Sequence, residues 1–338
     1  MNIQVMKVDD IILEKMIDKG EHSEVYLSCK KGENIKYVTK KYERALVEGT
    51  EYYKRLLKER TIIQNSNHQN ILKLICIKKT KKNFYVVLEY CNGGDLSTIL
   101  INYLLKYGKP FSQEIVQHLM RQVISGLKYI HDKKLVHGDI KLKSILVHFD
   151  AEKDKEELNM MKATIKISHF KFTNKSKIEP LNNNNIKSKN NDIFDLGVMC
   201  YKMIFGKYGL DSVDPEKLIN EIEKKVHNNN IILSKDVISF MKGMLVNENK
   251  LHIKELSNHI FLSKDIKNLN LTNQQQSTTE DHLCIYCLVE PSEIILAPCG
   301  HKYICNKCYK SLKEKNKLKI CDVCRTEIES FVEKVFDV

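Results

Sequence analysis

The chain has 338 residues, is 42% hydrophobic, and carries 55 Lys and Arg against 43 Asp and Glu, a formal charge of +12. That length suits two domains rather than one, and no apolar run reaches the ~18–20 residues of a membrane span. The basic excess lies in short Lys runs with no Arg-rich stripe interleaved with aromatics, so a solvated lysine-rich surface is expected and nucleic acid is not.

The opening MNIQVMKVDD lacks the basic-then-apolar signature of a secretion signal, so a cytoplasmic location is expected, with the nucleus also open. Thiols stay reduced there, and the cysteines are read as ligands or core residues rather than disulfides. Seven of the eleven crowd into Cys284–Cys324, while Cys29, Cys76, Cys91 and Cys200 stand singly.

Taken in order, residues 10–95 give strand-like runs and one helical segment. Ile17–Val25 (IDKGEHSEV) precedes the short run Tyr37–Lys41 (YVTKK), and Tyr52–Gln64 has helical periodicity. Phe84–Leu96 (FYVVLEYCNGGDL) is a strand closed by a turn, with Asp95 at the start of the next helix, where a carboxylate is favourable. In Phe111–His131, the residues Ile115, Leu119, Val123, Leu127 and Ile130 mark one face of a core-packed helix. It leads into HGDIKLKSILV, starting at His137; the polar insert Ala151–Lys162, expected to be an exposed hairpin extension; and ATIKISHFKF, ending at Phe172. LNNNNIKSKNN follows, a low-complexity Asn stretch with little packing potential. Then come Asp192–Met203 (DIFDLGVMCYKM), a helical region Val237–Leu262, and Ser263–Asp281, which lacks periodic apolar residues and is expected to be a flexible linker.

Residues 10–262 resemble eukaryotic protein kinases. His137, Asp139 and Lys141 keep the H-R-D-L-K-x-x-N pattern of the catalytic loop, with Gly138 for Arg and Ser144 for the metal-binding Asn. The D-F-G triplet reads His169-Phe170-Lys171. The resemblance implies a nucleotide cleft: Gly20 and Val25 from the glycine-rich loop, Lys40 as the phosphate lysine paired with Glu59, and backbone groups of Glu89 and Cys91 for an adenine, behind the gatekeeper Leu88. Asp18 and Ser23 occupy the outer glycine positions. Ile63, His137 and Phe170 match the stacked residues that join the two lobes, and Asp192 matches the residue that braces the catalytic-loop backbone. Only about ten residues separate His169 from the A-P-E position near Ile178–Pro180, a short activation segment, and Lys250 stands where Arg is common.

Phosphoryl transfer depends on metal and nucleophile being held while charge spreads over the phosphate oxygens. Magnesium takes hard oxygen ligands, whereas an imidazole at position 169 suits softer metals and brings no negative charge. One carboxylate–cation pair at ~4 Å and an effective dielectric of ~20 is worth roughly 4 kcal/mol, about a thousandfold in rate. Asp139 keeps the position of the kinase base but is expected to be inactive. ATP binding is expected to be weak at best, with the magnesium site degraded.

The C-terminal part carries Cys284-x2-Cys287-x11-Cys299-x-His301-x3-Cys305-x2-Cys308-x12-Cys321-x2-Cys324. Thiolates and imidazole at such spacings make closed tetrahedral zinc sites. The C3HC4 order resembles a RING finger, which implies two interleaved zincs: Cys284, Cys287, Cys305 and Cys308 on one, Cys299, His301, Cys321 and Cys324 on the other. The same resemblance implies a ubiquitin-conjugating enzyme and ubiquitin as partners, with Ile285 and Arg325 as transfer contacts. Asp322 stands where Pro is frequent. The tail Thr326–Val338 alternates as a strand would and resembles that of dimeric inhibitor-of-apoptosis-type ligases, implying a RING homodimer in which Phe336 acts across subunits.

The expected architecture is α+β: a two-lobed kinase fold at 10–262, a linker at 263–281, and a small cross-brace RING at 282–338. The expected function is a RING-type ubiquitin ligase whose kinase-like domain recruits a protein substrate or regulates. The alternatives are a weakly active serine/threonine kinase, opposed by Ser144 and His169, and a non-enzymatic adaptor, opposed by Ile285 and Arg325.

Overall fold

Five antiparallel strands, β1 (Ile11–Lys19), β2 (Glu24–Lys30), β3 (Lys36–Glu43), β4 (Leu74–Lys79) and β5 (Asn83–Glu89), form a sheet in the order β1-β2-β3-β5-β4. The computed structural model describes residues 10–20, 23–50, 66–169, 183–206, 218–220, 222, 233–246, 251–263, 284, 286, 290, 292–297, 302–314, 318–321, 327, 328 and 330–332. Register places Lys40 between Val25 on β2 and Val86 on β5, so the lysine is carried by the middle of the sheet. Tyr42, Phe84, Val86 and Leu88 pack with Leu72, Cys91 and Val47 of α1 (Arg44–Val47) in a core of their own. The edge strand β1 is different: Ile12, Met16 and Ile17 are about half exposed, and its pairing with β2 slips between Leu13 and Lys15 and again between Met16 and Asp18.

The larger lobe begins at the two-residue strand β6 (Gly94–Asp95) and helix α2 (Leu96–Tyr107). Asp95 caps α2 by accepting from the Thr98 amide at 3.0 Å, and Gly108 ends it in the left-handed region at φ 65°. Helix α3 (Gln113–Asp132) is capped by Ser112 and buries Leu119, Val123, Leu127 and Ile130, with Ile115 half-buried at the margin. Strands β7 (Ile145–His148) and β8 (Thr164–Ile167) form a hairpin beside β6, in the order β6-β7-β8. The insert between β7 and β8 is not an extension of that hairpin: α4 (Glu152–Glu156) and a 3-10 turn, Met160–Lys162, fold it back, and Met160 is buried in the core. Met160, with Leu158 partly buried against the same core, tethers a segment that is otherwise mostly charged.

The Asn stretch also departs from expectation. A single helix, α5, runs Asn183–Phe205. Asn is a poor helix former, but elongation from an already nucleated helix costs far less than starting one, and the apolar part Ile193–Phe205 is anchored in the core. Helices α6 (Lys235–Leu245), α7 (Ile253–Ser257) and α8 (Ile260–Ser263) close this lobe.

Gly126 of α3 sits where a Cβ would come within 2.9 Å of the Asn70 carbonyl oxygen and 2.8 Å of Ile167 Cδ1. The oxygen belongs to backbone that cannot give way, since Asn70 O accepts from the Ile167 amide at 2.9 Å. Gly126→Ala is therefore expected to destabilise by about 1–3 kcal/mol despite alanine's better helix propensity; thermal melting checks it, and an unchanged or raised midpoint would show the contact to be slack.

The C-terminal module has a three-stranded sheet with β9 (Ile294–Ala297) between β10 (Lys302–Ile304) and β11 (Ser330–Val332), together with helix α9 (Asn306–Glu314). Of the expected tail strand, only Ser330–Val332 is strand among the described residues, and it pairs with the module's own β9; Phe331 packs on Tyr309 with ring centroids 4.8 Å apart. No helix among the described residues is long and apolar enough to cross a membrane.

Candidate nucleotide cleft and metal centre

The cleft is assembled on one buried carboxylate. Asp192 of α5 is fully buried and accepts from the His137 amide at 2.9 Å, the Gly138 amide at 2.8 Å and His131 Nε2 at 2.8 Å. It thereby fixes the backbone where Asp139 begins its loop, and Gly138 takes a positive φ of 80° there, which glycine accepts without strain. The Asp139 carboxylate pairs with Lys141 Nζ at 2.8 Å.

His137 is fully buried. Its Nδ1 accepts from the Asp139 amide at 3.2 Å, which leaves the proton on Nε2 to donate to Ser168 O at 2.9 Å. Both ring nitrogens are thus used in one neutral tautomer, and burial pushes the imidazole below its ordinary pKa. Its role is to tie the loop to the end of β8.

The two positions where the kinase resemblance implies magnesium ligands are each engaged differently. Ser144 is fully buried; its Oγ donates to Lys141 O at 2.8 Å and accepts from the Lys141 amide at 3.0 Å. The hydroxyl is spent on closing its own 3-10 turn. His169 sits at a left-handed φ of 59°, rare for a residue with a side chain. Ser168 Oγ gives its proton to Ser144 O at 3.0 Å, so its 2.7 Å contact with His169 Nδ1 is one in which the ring donates. That leaves Nε2 a single neutral lone pair. The Lys40 ammonium, with burial adding to it, holds the imidazole down to about 3. A neutral nitrogen and an engaged hydroxyl do not make the hard oxygen shell that magnesium requires.

At the hinge, Glu89 does more than its backbone. Its amide donates to Lys73 O at 3.0 Å, its carboxylate accepts from the Lys73 amide at 2.6 Å, and it pairs with Lys166 of β8 at 3.1 Å, stitching the lobes together. Cys91 is buried, which pushes its thiol up to about 12, and its carbonyl accepts from Gly94 N at 3.2 Å. Gly93 follows where a Cβ would lie 2.9 Å from Val147 O. The Gly20 amide donates to Ser23 O at 2.8 Å, and Val25 is half-buried on β2. Glu59, Ile63, Phe170, the short activation segment and Lys250 lie outside the described residues. Sequence reasoning missed Ser168 and Lys166, which carry no motif signal and matter only through what they touch.

In the C-terminal module the sulfurs of Cys284, Cys305 and Cys308 lie within 4.8 Å of one another. Cys284 and Cys305 are buried, and the Cys308 amide donates to Cys305 Sγ at 3.4 Å. Three converging thiols suit a structural zinc, which takes four such ligands. These are three of the four residues expected to share one ion; Cys287 lies outside the described residues. Cys321, expected on the other ion, is buried in the same apolar cluster, while Cys299, His301, Cys324, Ile285, Arg325 and Phe336 also lie outside the described residues.

Comparison with known proteins agrees with this division. Residues 12–262 match the protein kinase domain family, and residues 280–331 match the family described as zinc finger, C3HC4 type (RING finger). Among curated proteins, the chain is 24% identical over 243 residues to a putative protein kinase C delta type homolog of Drosophila melanogaster, covering 70% of this chain. It is 27% identical over 226 residues to calcium-dependent protein kinase 5 of Plasmodium falciparum, covering 62% of this chain. The chain spans only 36% of the length of either relative. Among solved structures, the crystal structure of Rad53 1-466 in complex with AMP-PNP superposes with a TM-score of 0.55 at 18% identity, over 75% of this chain and 65% of that one. That likeness concerns the fold.

Proposed function

The chain belongs to the protein kinase family through residues 12–262 and carries a C3HC4 RING finger at 280–331; from that premise we propose that it is a RING-type ubiquitin ligase whose kinase-like domain recruits a protein substrate or regulates, without efficient phosphoryl transfer. The observation that carries the second half is Ser144: its hydroxyl is committed to Lys141 while its companion position holds a neutral imidazole. The first half rests on the thiol cluster within a C3HC4 frame, which would hold two zincs. In this proposal the RING binds a charged conjugating enzyme through Ile285, and Arg325 reaches both that enzyme and ubiquitin. Phe336 would act across a homodimer. The setting is the cytoplasm.

The test is autoubiquitination of the full chain across a panel of conjugating enzymes, beside Cys305→Ser, with phosphorylation measured in the same preparations. Polyubiquitin that Cys305→Ser abolishes, and no phosphate transfer from ATP and magnesium, is the expected result. Zinc-loaded protein that transfers no ubiquitin with any conjugating enzyme would leave an adaptor instead. A second reading, a weakly active kinase, draws on the ordered Asp139–Lys141 pair; phosphorylation that Asp139→Ala abolishes would establish it. Restoring His169→Asp and Ser144→Asn together is not expected to confer activity, because Asp18 and Ser23 still flank the phosphate loop.

A further inference from the structure

Helix α2 is apolar on more of its circumference than the large lobe can use. Leu96, Ile99, Leu100 and Leu104 belong to the lobe's own core, with Tyr103 packed against it. Ile101 does not. It is fully buried, and the apolar cluster it joins is that of the C-terminal module: Cys284, Ile294, Leu296, Tyr303, Ile304, Cys305, Tyr309 and Cys321. Leu105, one turn further along the same flank, packs partly buried against that cluster. Two of the cluster's members, Cys284 and Cys305, are thiols of the candidate zinc site.

We propose that α2 is the seat of the RING: Ile101 anchors the zinc module to the kinase-like lobe, Leu105 lies at the margin of the contact, and the seating depends on zinc. A helix with a second apolar flank needs a second cover for it. Without the RING, Ile101 and Leu105 would stand side by side in water. The occupant is a named part of the same chain, and the apolar cluster already joins the two. The helix also starts at the hinge, capped by Asp95 just after Cys91, so the RING rides on the element that leaves the nucleotide cleft. A protein held by the kinase-like lobe would then face the RING in a fixed orientation rather than at the end of a swinging tether. The inference rests on the RING reading for its zinc and is independent of ligase activity.

The chain has no Trp, so a single indole reports on one place. In full-length Leu105→Trp with zinc bound, emission is expected to be blue-shifted and shielded from acrylamide. Chelation should unfold the RING and move it to the solvent-exposed value, while the lobe keeps its cooperative melting. Emission already at the exposed value with two zincs bound would overturn the seating. Zinc content of the same sample separates the two readings: no zinc overturns the RING assignment, whereas two zincs with an exposed indole overturn the seating alone. In Ile101→Ser, a change off the lobe's core, cleavage by a dilute protease within residues 264–283 is expected to quicken severalfold with zinc content unchanged. Cleavage no faster than in the parent chain would also overturn it.

Discussion

Replacing Cys305 with serine is expected to abolish the folded RING while leaving the kinase-like lobe intact. Cys305 is 1% exposed, and its sulfur lies with those of Cys284 and Cys308 inside the module's only apolar cluster among the described residues. A module of this size buries too little surface to fold on that cluster alone. Structural zinc contributes ~10–16 kcal/mol in finger peptides, as much as the ~5–15 kcal/mol by which whole domains are stable once all terms are offset. An alkoxide does not form at serine at neutral pH, so the substitution removes an anionic ligand without replacing it. Metal content should fall from two zincs per chain to at most one. The amide signals of β9 and β10 should lose dispersion, while the melting transition of the large lobe stays in place. Retention of both ions would mean that the three converging thiols are ordinary core residues.

Asp192→Ala is expected to produce the largest loss in the other domain. The carboxylate is fully buried, and its removal takes away the acceptor that the amides of His137 and Gly138 and the Nε2 of His131 share. Breaking a buried charged network in this way costs about 3–5 kcal/mol. For a domain of this size each kcal/mol moves the midpoint by ~2–4 °C, so a fall on the order of 10 °C is expected. Asp192→Asn, which keeps one acceptor oxygen, should fall between. The distinction from a catalytic role is plain: the effect is on melting, whether or not any phosphate moves. An unchanged midpoint in Asp192→Ala would show that the loop is held by other means.

Much of this site was legible because its residues sit in fixed register. His137, Asp139, Lys141 and Asp192 could be placed by their resemblance to the kinase motifs, and the brace from Asp192 to the loop amides is what that resemblance implied. Cys284, Cys305 and Cys308 were legible for a different reason: metal ligation constrains spacing more tightly than packing does. Ser144 was visible as a substitution, yet nothing in the sequence says that its hydroxyl would turn back on Lys141. Hydrogen bonds of that kind depend on a local turn and leave no periodic trace. Ser168 and Lys166 were silent because their partners lie far away along the chain. Helices α4 and the start of α5 were missed because charged and Asn-rich segments carry no apolar stripe; their conformation is set by what they connect. Ile101 was missed because a helix apolar on two flanks reads like one with a single broad face.

The edge strand β1 carries one more consequence, for the protein as a solute. Among the described residues no strand pairs with its outer side, and Ile12, Met16 and Ile17 are half exposed there. Such a rim is a template on which a strand from another molecule can add. Two features work against that. The paired register slips twice along nine residues, which coils the rim away from the flat geometry an incoming strand needs. Lys15 and Lys19 also place ammonium groups along it, and desolvating them would oppose close approach by an identical copy. Removing those charges while leaving the isoleucines would therefore be expected to make the chain self-associate with increasing concentration, with no change to either the cleft or the zinc.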